Sequence, residues 1–262
     1  MTEWLDLCAT QTVVNVPLLQ SKVDGCIIKL GYTGYGSNKP AFSPAWKRHF
    51  EALKGKVNLG IYYFSIAYTE AMVDMETNWV ITQLKEAEKD GFRFTLPIFV
   101  DCEAQKNSAG WTNLSRERRS ELMKRWMDNM RKAGYYTGIY AGVTTWKHNT
   151  ILVTSMLEGY DKWMAQYYIE NQYPGKAGEA YTAWQYTSSG VGKNYGLNDC
   201  KVDVSHCYVD YPSIIKNGGW NGFEKTKPVE IPTEDVILRI KAGNFSQDVT
   251  VNKGDTITIE RV

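Results

Sequence analysis

The stretch Thr95-Leu-Pro-Ile-Phe-Val-Asp-Cys-Glu-Ala104 decides the fold. Its short apolar run, from Leu96 to Val100, is typical of a strand that is covered on both faces. Side chains alternate along a strand, so Asp101 and Glu103 are predicted to point to the same side, with Cys102 opposite. The sequence therefore predicts a buried strand that ends in two acids on one face.

Two acids on one face of a strand repel each other when the site excludes water. This repulsion and partial burial are expected to raise one pKa and to leave a proton donor beside an anion. A donor and an anion of this kind are the groups that glycoside hydrolysis needs. The simpler interpretation is two exposed acids that pair with nearby Arg or Lys, since a perturbed pair is functional only in some proteins.

The composition of the 262 residues is that of a globular protein, with 43% hydrophobic and 23% charged residues. The net charge of +1 argues against a nucleic-acid-binding protein, which normally carries a basic excess. Aromatic residues make up 13% of the chain, which suits stacking on sugar rings as well as an aromatic core. No apolar run approaches the ~20 residues of a membrane-spanning helix. We therefore expect neither nucleic acid nor a membrane as a partner.

The first residues and the cysteines indicate the cellular compartment in which the chain is made. The N-terminus has neither the basic region nor the apolar core of a secretory signal, so synthesis in the cytoplasm is expected. Five cysteines are an odd number without the spacing of a metal site, and we expect no metal and no cofactor. Cys8, Cys26 and Cys102 fall in predicted strands and are expected to be buried thiols. Cys200 and Cys207 either pair or stay free.

Apolar strands alternate with helical patterns along the chain, which predicts a mainly parallel sheet. Eight candidate strands in roughly 205 residues predict closure into a barrel. The strands are expected at 4–8, 25–30, 57–65, 96–103, 137–142, 163–168, 181–186 and 201–205. Helices are expected at 44–53, 69–90 and 115–134, with a helix or turn at 13–22 and a glycine-containing loop at 31–40. The later strands are joined by segments with little helical pattern, so the second half is predicted to be irregular.

Functional side chains of such barrels collect where the strands end. The predicted strand ends bring one set of side chains to a single mouth, namely Asp6, Tyr62 or Tyr63, Asp101, Glu103, Tyr140, Gln185 and Asp203. The aromatic rings that are candidates for stacking on sugars are Tyr32, Tyr63, Tyr140 and Trp184. Each of these rings can equally belong to the core. The predicted site thus combines four acids with aromatic side chains.

The composition changes after Phe223, where a charged, proline-containing linker is predicted at 224–235. Residues 1–223 then form one barrel domain, and 236–262 form a small β-rich tail. Tail strands are expected at 236–241, 249–251 and 256–260, with a turn at 252–255. About 30 residues are too few for an independent core. The tail is therefore expected to dock on the barrel or to mediate self-association, with wall binding as the alternative.

The order of the motifs resembles glycoside hydrolase family 25, the lysozymes typical of phage endolysins. The resemblance runs from about Asp6 to Phe223. It rests on the motifs Leu5-Asp6-Leu7, Ile27–Tyr32, Leu59–Phe64, Pro97–Glu103, Gly138–Ala141, Trp163–Tyr167, Ala183–Ser188 and Val202–Val204. The resemblance implies an α/β fold, a distorted (β/α)5(β)3 TIM-like barrel, to which the small C-terminal β tail is added.

The same resemblance implies hydrolysis of the β-1,4 bond between N-acetylmuramic acid and N-acetylglucosamine in peptidoglycan. Glu103 is implied as the general acid, and Asp101 as the group that orients the acetamido group of the substrate or stabilises the cationic transition state. The residues implied or expected to bind substrate are Asp6, Asp203, Tyr32, Tyr63, Tyr140 and Gln185. Without a signal peptide, such an enzyme would be made in the cytoplasm of a bacterial host and act on the cell wall after release.

Three alternatives stay open at this point. A chitinase-like glycosidase also carries an acid pair at a strand end, although Phe99 and Val100 stand where that group has more Asp. A catalytically silent saccharide-binding barrel would not need all four acids. A metal-dependent hydrolase fits less well, because no His accompanies the acids.

Two positions depart from the common pattern of the family. Cys8 stands where Ser is common, and Tyr63 stands where His is common. These departures leave the sub-site preference open.

Overall fold

The structure of the chain is a computed structural model that describes residues 1–104, 107–167, 181–225, 236–242 and 245–251. It divides into two compact units, Met1–Lys225 and Thr226–Val262. Within the described ranges, none of the helices has the length and apolar character that a membrane span requires. The tail strand predicted at 256–260 and the turn predicted at 252–255 lie outside the described residues.

The described residues form strands and helices in alternation. The strands are β1 (Thr2–Leu7), β2 (Gly25–Thr33), β3 (Pro40–Phe42), β4 (Asn58–Phe64), β5 (Ile98–Asp101), β6 (Thr137–Gly142), β7 (Asp161–Ala165), β8 (Ala183–Val191), β9 (Lys201–Cys207), β10 (Val236–Ala242) and β11 (Phe245–Val251). The helices are α1 (Val16–Gln20), α2 (Trp46–Leu53), α3 (Glu70–Lys89), α4 (Ala109–Thr112), α5 (Arg116–Lys132), α6 (Val143–His148) and α7 (Tyr211–Gly218). Short 3-10 helices span Thr154–Leu157 and Gly192–Tyr195.

The first unit contains a closed barrel of eight strands. Hydrogen bonds join them in the order β1-β2-β4-β5-β6-β7-β8-β9, and β9 pairs back with β1. Neighbours from β1 to β8 run parallel, whereas β9 is antiparallel to both of its neighbours. The predicted α/β barrel with a mainly parallel sheet is confirmed. A ninth strand, β3, extends the sheet as the antiparallel partner of β2.

Side chains that alternate along the barrel strands build two cores. The inward-facing core contains Ile27, Phe99 and Trp163. The outward-facing core lies between the strands and the helices and contains Val73 from α3 and Trp126 from α5. Because both faces of the strands are covered, β5 is apolar at every position before its terminal acid.

The two long helices begin and end where the sequence signals predict. The Thr69 hydroxyl accepts the backbone N–H of Met72 at 3.2 Å at the start of α3. The Ser115 hydroxyl accepts the backbone N–H of Arg118 at 3.1 Å at the start of α5. Gly134 follows α5 with a φ of 88°, in the left-handed region that favours glycine. The helices predicted at 69–90 and 115–134 are confirmed.

The segment predicted as a loop at 31–40 is the clearest departure from expectation. Its first three residues continue β2, and Pro40 already belongs to β3. A Cβ atom at Gly31 would lie 2.4 Å from the carbonyl oxygen of Ala41, so glycine here permits the close pairing of the two strands. The loop predicted from the glycines is wrong at Gly31, where the glycine marks a contact between two strands.

The cysteines show two further differences. Cys26 and Cys102 are buried as predicted, but Cys8 is only half-buried. Cys200 and Cys207 are both free thiols. They stand seven residues apart along the extended β9 segment, about 23 Å at the usual rise of a strand. That separation is far beyond disulfide reach, so the alternative of a Cys200–Cys207 bond is wrong.

The described part of the second unit is one antiparallel pair. Strands β10 and β11 pair from Val236 opposite Val251 to Ala242 opposite Phe245. The strand predicted at 236–241 is confirmed. The strand predicted at 249–251 begins four residues earlier, at Phe245.

Substitution of Gly60 by alanine tests the packing of the barrel interior. A Cβ atom there would lie 2.6 Å from the carbonyl oxygen of Pro97 and 2.7 Å from Cδ1 of Ile27. We expect Gly60→Ala to lower the free energy of unfolding by about 1–3 kcal/mol, as overpacking does, in urea titrations followed by tryptophan fluorescence. Gly36→Ala is the matched control, because its Cβ atom would meet open space. Equal unfolding midpoints for the two variants would contradict this account.

Candidate active site

A cleft opens at the carboxyl ends of the parallel strands. Its lining residues are Asp6, Tyr62, Asp101, Glu103, Tyr140, Trp163, Gln185 and Asp203. The structure thus brings together the four predicted acids, Tyr140 and Gln185. Two larger cavities, of about 550 and 460 Å³, lie near the opposite ends of the strands. That end of such barrels usually contributes to stability rather than to chemistry.

The acid pair of β5 lies at the centre of the cleft. Asp101 is the last residue of the strand and is 6% exposed, and Glu103 follows at the exposed mouth. Both line the cleft, while Cys102 points into the outward-facing core. Burial and the charge of Glu103 raise the pKa of Asp101 well above its usual range, and Lys29 opposes the rise.

The pKa of Glu103 is raised as well. The side chain of Glu103 is exposed to solvent, but protein atoms surround its carboxyl group. Loss of water around this group is the main cause of the raised pKa. Lys29 lowers this pKa and Asp203 raises it. The sequence predicted a raised pKa for one member of the pair, whereas in the structure the pKa values of both members are raised.

One carboxylate oxygen of Asp101 lacks a partner. Its Oδ1 atom is buried and forms no hydrogen bond with any described residue. A buried polar atom without a partner costs about 1–3 kcal/mol, so native proteins rarely keep one without a reason. A ligand that carries an N–H or O–H group would satisfy it.

A second acid pair lies beside the first. Asp6 in β1 and Asp203 in β9 stand directly opposite each other in the antiparallel ladder. Burial raises the pKa of Asp6 well above its usual range, and the charge of Asp203 raises it further. Burial also raises the pKa of Asp203, but a hydrogen bond with Asp6 lowers it. The two carboxyl groups therefore compete for one proton.

Gln185 connects Asp6 to two tyrosines. The hydroxyl groups of Tyr140 and Tyr167 donate to Gln185 Oε1 at 2.9 and 2.6 Å. The amide Nε2 of Gln185 donates to Oδ2 of Asp6 at 2.8 Å. Two donors on one oxygen fix the orientation of the amide, and hence the position of Asp6. Tyr167 is not among the residues predicted from the sequence, although it ends the motif Trp163–Tyr167.

Tyr62, not Tyr63, lines the cleft. Tyr63 is fully buried in the outward-facing core, and its hydroxyl bonds to that of Thr33 at 2.7 Å. Adjacent residues of a strand face opposite sides, so only one of the two can point inward. Of the two tyrosines that the sequence left open, Tyr62 therefore replaces Tyr63 in the substrate-binding set.

Two other predicted aromatic residues lie outside the cleft lining. Trp184 is 3% exposed, belongs to the outward-facing core, and donates from Nε1 to the carbonyl oxygen of Gln166 at 2.8 Å. It is a core residue. Tyr32 is half-buried, with its ring centroid 5.8 Å from Nζ of Lys29.

Among the described residues, no group of three or more His, Cys, Asp or Glu side chains has an arrangement that could hold a metal ion.

A buried acid behind the cleft, Glu76 of α3, escaped sequence analysis. Its two oxygens accept hydrogen bonds from Thr33 at 2.6 Å and from Ser65 at 2.7 Å. Thr33 ends β2, and Ser65 directly follows β4. The carboxyl group is fully buried, and burial raises its pKa to about 7. Glu76 therefore ties together the ends of the two strands that carry Tyr32 and Tyr62.

A model of the glycosyl hydrolases family 25 matches residues 6–195 of the chain. The chain belongs to glycosyl hydrolases family 25. It is therefore a glycoside hydrolase, and the resemblance found in the sequence is confirmed. No curated protein matches the chain.

Solved structures similar to this family 25 chain include endolysins and an autolysin. The CTP1L endolysin gives a TM-score of 0.62 at 20% identity, over 83% of this chain and 70% of that one. The catalytic domain of endolysin ply40, from bacteriophage P40 of Listeria monocytogenes, gives 0.61 at 24% identity, over 81% and 96%. The modular autolysin LytC of Streptococcus pneumoniae, in complex with a synthetic peptidoglycan ligand, gives 0.58 at 21% identity, over 78% and 46%. At these identities the likeness establishes the family 25 barrel.

Glu76 predicts a specific pH dependence of stability. Its pKa is raised from 4.5 to about 7, so between these values the folded protein keeps a proton that the unfolded chain releases. The stabilising contribution is complete below pH 4.5 and is lost as the pH rises towards 7. At ~1.4 kcal/mol per pH unit, the free energy of unfolding relative to Glu76→Gln is expected to fall by about 3 kcal/mol.

Urea titrations of both proteins at several pH values between 4.5 and 7.5 measure this difference. The matched control is Glu86→Gln, which removes an exposed carboxyl group from the same helix. A difference between wild type and Glu76→Gln that stays constant over this pH range would show that the proton is not bound there.

Proposed function

We propose that the enzyme is a peptidoglycan-hydrolysing lysozyme that cleaves the β-1,4 bond between N-acetylmuramic acid and N-acetylglucosamine. Membership of family 25 supports the reaction class. The observation that carries the proposal is the pairing of an accessible acid, Glu103, with a buried one, Asp101, whose Oδ1 atom lacks a partner among the described residues. The peptidoglycan ligand of the pneumococcal autolysin supports the substrate class.

In this proposal Glu103 is the general acid. Its position at the mouth of the cleft gives it access to the glycosidic oxygen of a bound strand. Its raised pKa keeps the proton on the carboxyl group closer to neutral pH, where it can be donated to the leaving oxygen. The charge of Asp203 contributes to this tuning.

Asp101 orients the substrate. Its unpartnered Oδ1 would accept the acetamido N–H of the sugar, which satisfies the buried oxygen and directs the carbonyl oxygen towards the anomeric carbon. A neighbouring negative charge also stabilises the positive charge that develops on the sugar ring. The second role requires that the proton of the pair lie on Glu103 and not on Asp101 when substrate is bound.

The remaining cleft residues bind and position the sugar. The groups that line the cleft beside the β5 pair are Asp6, Tyr62, Tyr140, Gln185 and Asp203. Tyr140 already donates to Gln185, and Gln185 donates to Asp6, so both act on the substrate from fixed positions. Tyr32, which lies outside the cleft lining, is assigned to bind the glycan strand as well.

The site of action and the division of the chain belong to the same proposal. The enzyme acts on the bacterial cell wall after release from the cell in which it is made, as endolysins do. Residues 1–223 carry catalysis, and 224–235 form a linker. The tail, 236–262, serves docking, self-association or wall binding.

Glu103→Gln is the most direct test of the general acid. The amide cannot donate the proton to the leaving oxygen, so turnover is expected to fall at least about 1,000-fold with the fold intact. Release of reducing sugar from purified peptidoglycan measures turnover, and circular dichroism checks the fold. Glu121→Gln, at an exposed position of α5, is the control. Wild-type turnover by Glu103→Gln, or faster release from chitin than from peptidoglycan by the wild-type enzyme, would refute the proposal.

Asp101→Asn tests the second carboxyl group. The amide retains the size of the side chain but loses the negative charge, so kcat is expected to fall about 100-fold. Binding of a glycan fragment, measured by calorimetry, is expected to weaken much less, because the cleft lining stays in place. A variant that bound poorly but turned over normally would contradict the assigned role.

A further inference from the structure

A cation lies close to the acids of the cleft. Lys29 extends from β2 into the barrel and is half-buried. Its Nζ atom lies 5.0 Å from the ring centroid of Phe64, 5.4 Å from that of Tyr62 and 5.8 Å from that of Tyr32. These rings form an aromatic cage around the ammonium group. Cation–π attraction of this kind stabilises a charge that has left part of its water shell.

Strand register fixes this aromatic cage. Lys29 stands opposite Tyr62 in the parallel ladder of β2 and β4, and Tyr32 stands opposite Phe64. The ladder shifts register between Lys29 and Gly31, which allows residues from both sides of the shift to meet. No described carboxylate forms an ion pair with Nζ within 4.0 Å. The ammonium is thus held against the ring of Tyr62, which lines the cleft together with Asp101 and Glu103, and no described carboxylate pairs with it directly.

We propose that Lys29 is a positioning residue, whose caged ammonium balances the charges of Asp101 and Glu103 so that the pair holds a single proton at the working pH. The inference rests on the proposed function, because it deepens the acid–base roles of these two residues. Lys29 is not among the residues that line the cleft, so it acts through the two acids rather than on the substrate.

The groups that surround the pair contain no substitute for this charge within the described part of the chain. The titratable side chains that face the acids are Asp6 and Cys8 from β1 and its end, Tyr35 from the segment after β2, Tyr62 from β4, Tyr140 from β6, Tyr167 after β7, and Asp203 from β9. None of these side chains can carry a positive charge. Arg119 is a cation that acts on Cys102, on the opposite face of β5.

The sign of the effect follows from electrostatics. A positive charge favours an ionised carboxylate, and Lys29 lowers the pKa of both Asp101 and Glu103. Lys29→Met keeps the length of the side chain and removes the charge, so both pKa values are expected to rise. The acid and alkaline limbs of the pH–rate profile, which report the two titrations of the Asp101–Glu103 pair, then both move to higher pH.

Carboxyl ¹³C NMR titration of the full chain measures this directly, with Asp101→Asn and Glu103→Gln identifying the two signals. Both midpoints are expected to rise by about one pH unit in Lys29→Met and to return towards wild type in Lys29→Arg. The pH–rate profile on peptidoglycan is expected to shift by the same amount. The control is Lys54→Met, which removes another lysine from a ring face, 5.6 Å from the centroid of Phe50, at an exposed site.

Unchanged midpoints in Lys29→Met, or an equal shift in Lys54→Met, would overturn the inference. If Lys29→Met does not fold, the wild-type protein supplies the test, because the ¹⁵Nζ signal of Lys29, identified by its absence in Lys29→Arg, must move through both carboxyl midpoints. A ¹⁵Nζ chemical shift that stays constant through both carboxyl midpoints would also overturn the inference. The NMR midpoints need no turnover, so an inactive wild-type enzyme would refute the proposed function and leave this test intact.

Discussion

Four carboxyl groups in one partly desolvated cleft are the constraint on which the rest of the structure depends. Burial raises the pKa of all four groups. The charge of Asp203 further raises the pKa values of Asp6 and Glu103, and the charge of Glu103 raises that of Asp101. Like charges at close range in a low dielectric cannot all be ionised, so the cluster must share protons. An acid that keeps its proton beside one that can lose it is the combination that glycosidic cleavage requires.

Repulsion between these carboxyl groups would push them apart in a flexible protein, so the barrel must hold them rigidly. Closure of the sheet places Asp6 opposite Asp203 where the first and last strands meet. On the inner side, Gln185 fixes Asp6. On the outer side, Glu76 fixes the ends of the strands that carry the aromatic cage of Lys29. The polar networks therefore concentrate at the strand ends, while the middle of the barrel is apolar.

The sequence predicted the scaffold better than the details of the site. The barrel followed from strand–helix alternation, because hydrophobic period and caps are local signals. Whether Tyr62 or Tyr63 faces inward depends on the phase of a strand that is apolar on both faces, and a pattern without polar alternation does not fix that phase. Lys29 and Glu76 were missed because each is one polar residue in an apolar or helical run. Their importance comes from residues distant in sequence that only the fold brings near.

The identity of the bond that is cut decides whether the enzyme is a muramidase. Fragments released from purified peptidoglycan can be reduced with borohydride and identified by mass spectrometry. The account predicts that the new reducing end is N-acetylmuramic acid. A new reducing end on N-acetylglucosamine, or the release of peptides without any new reducing end, would contradict it.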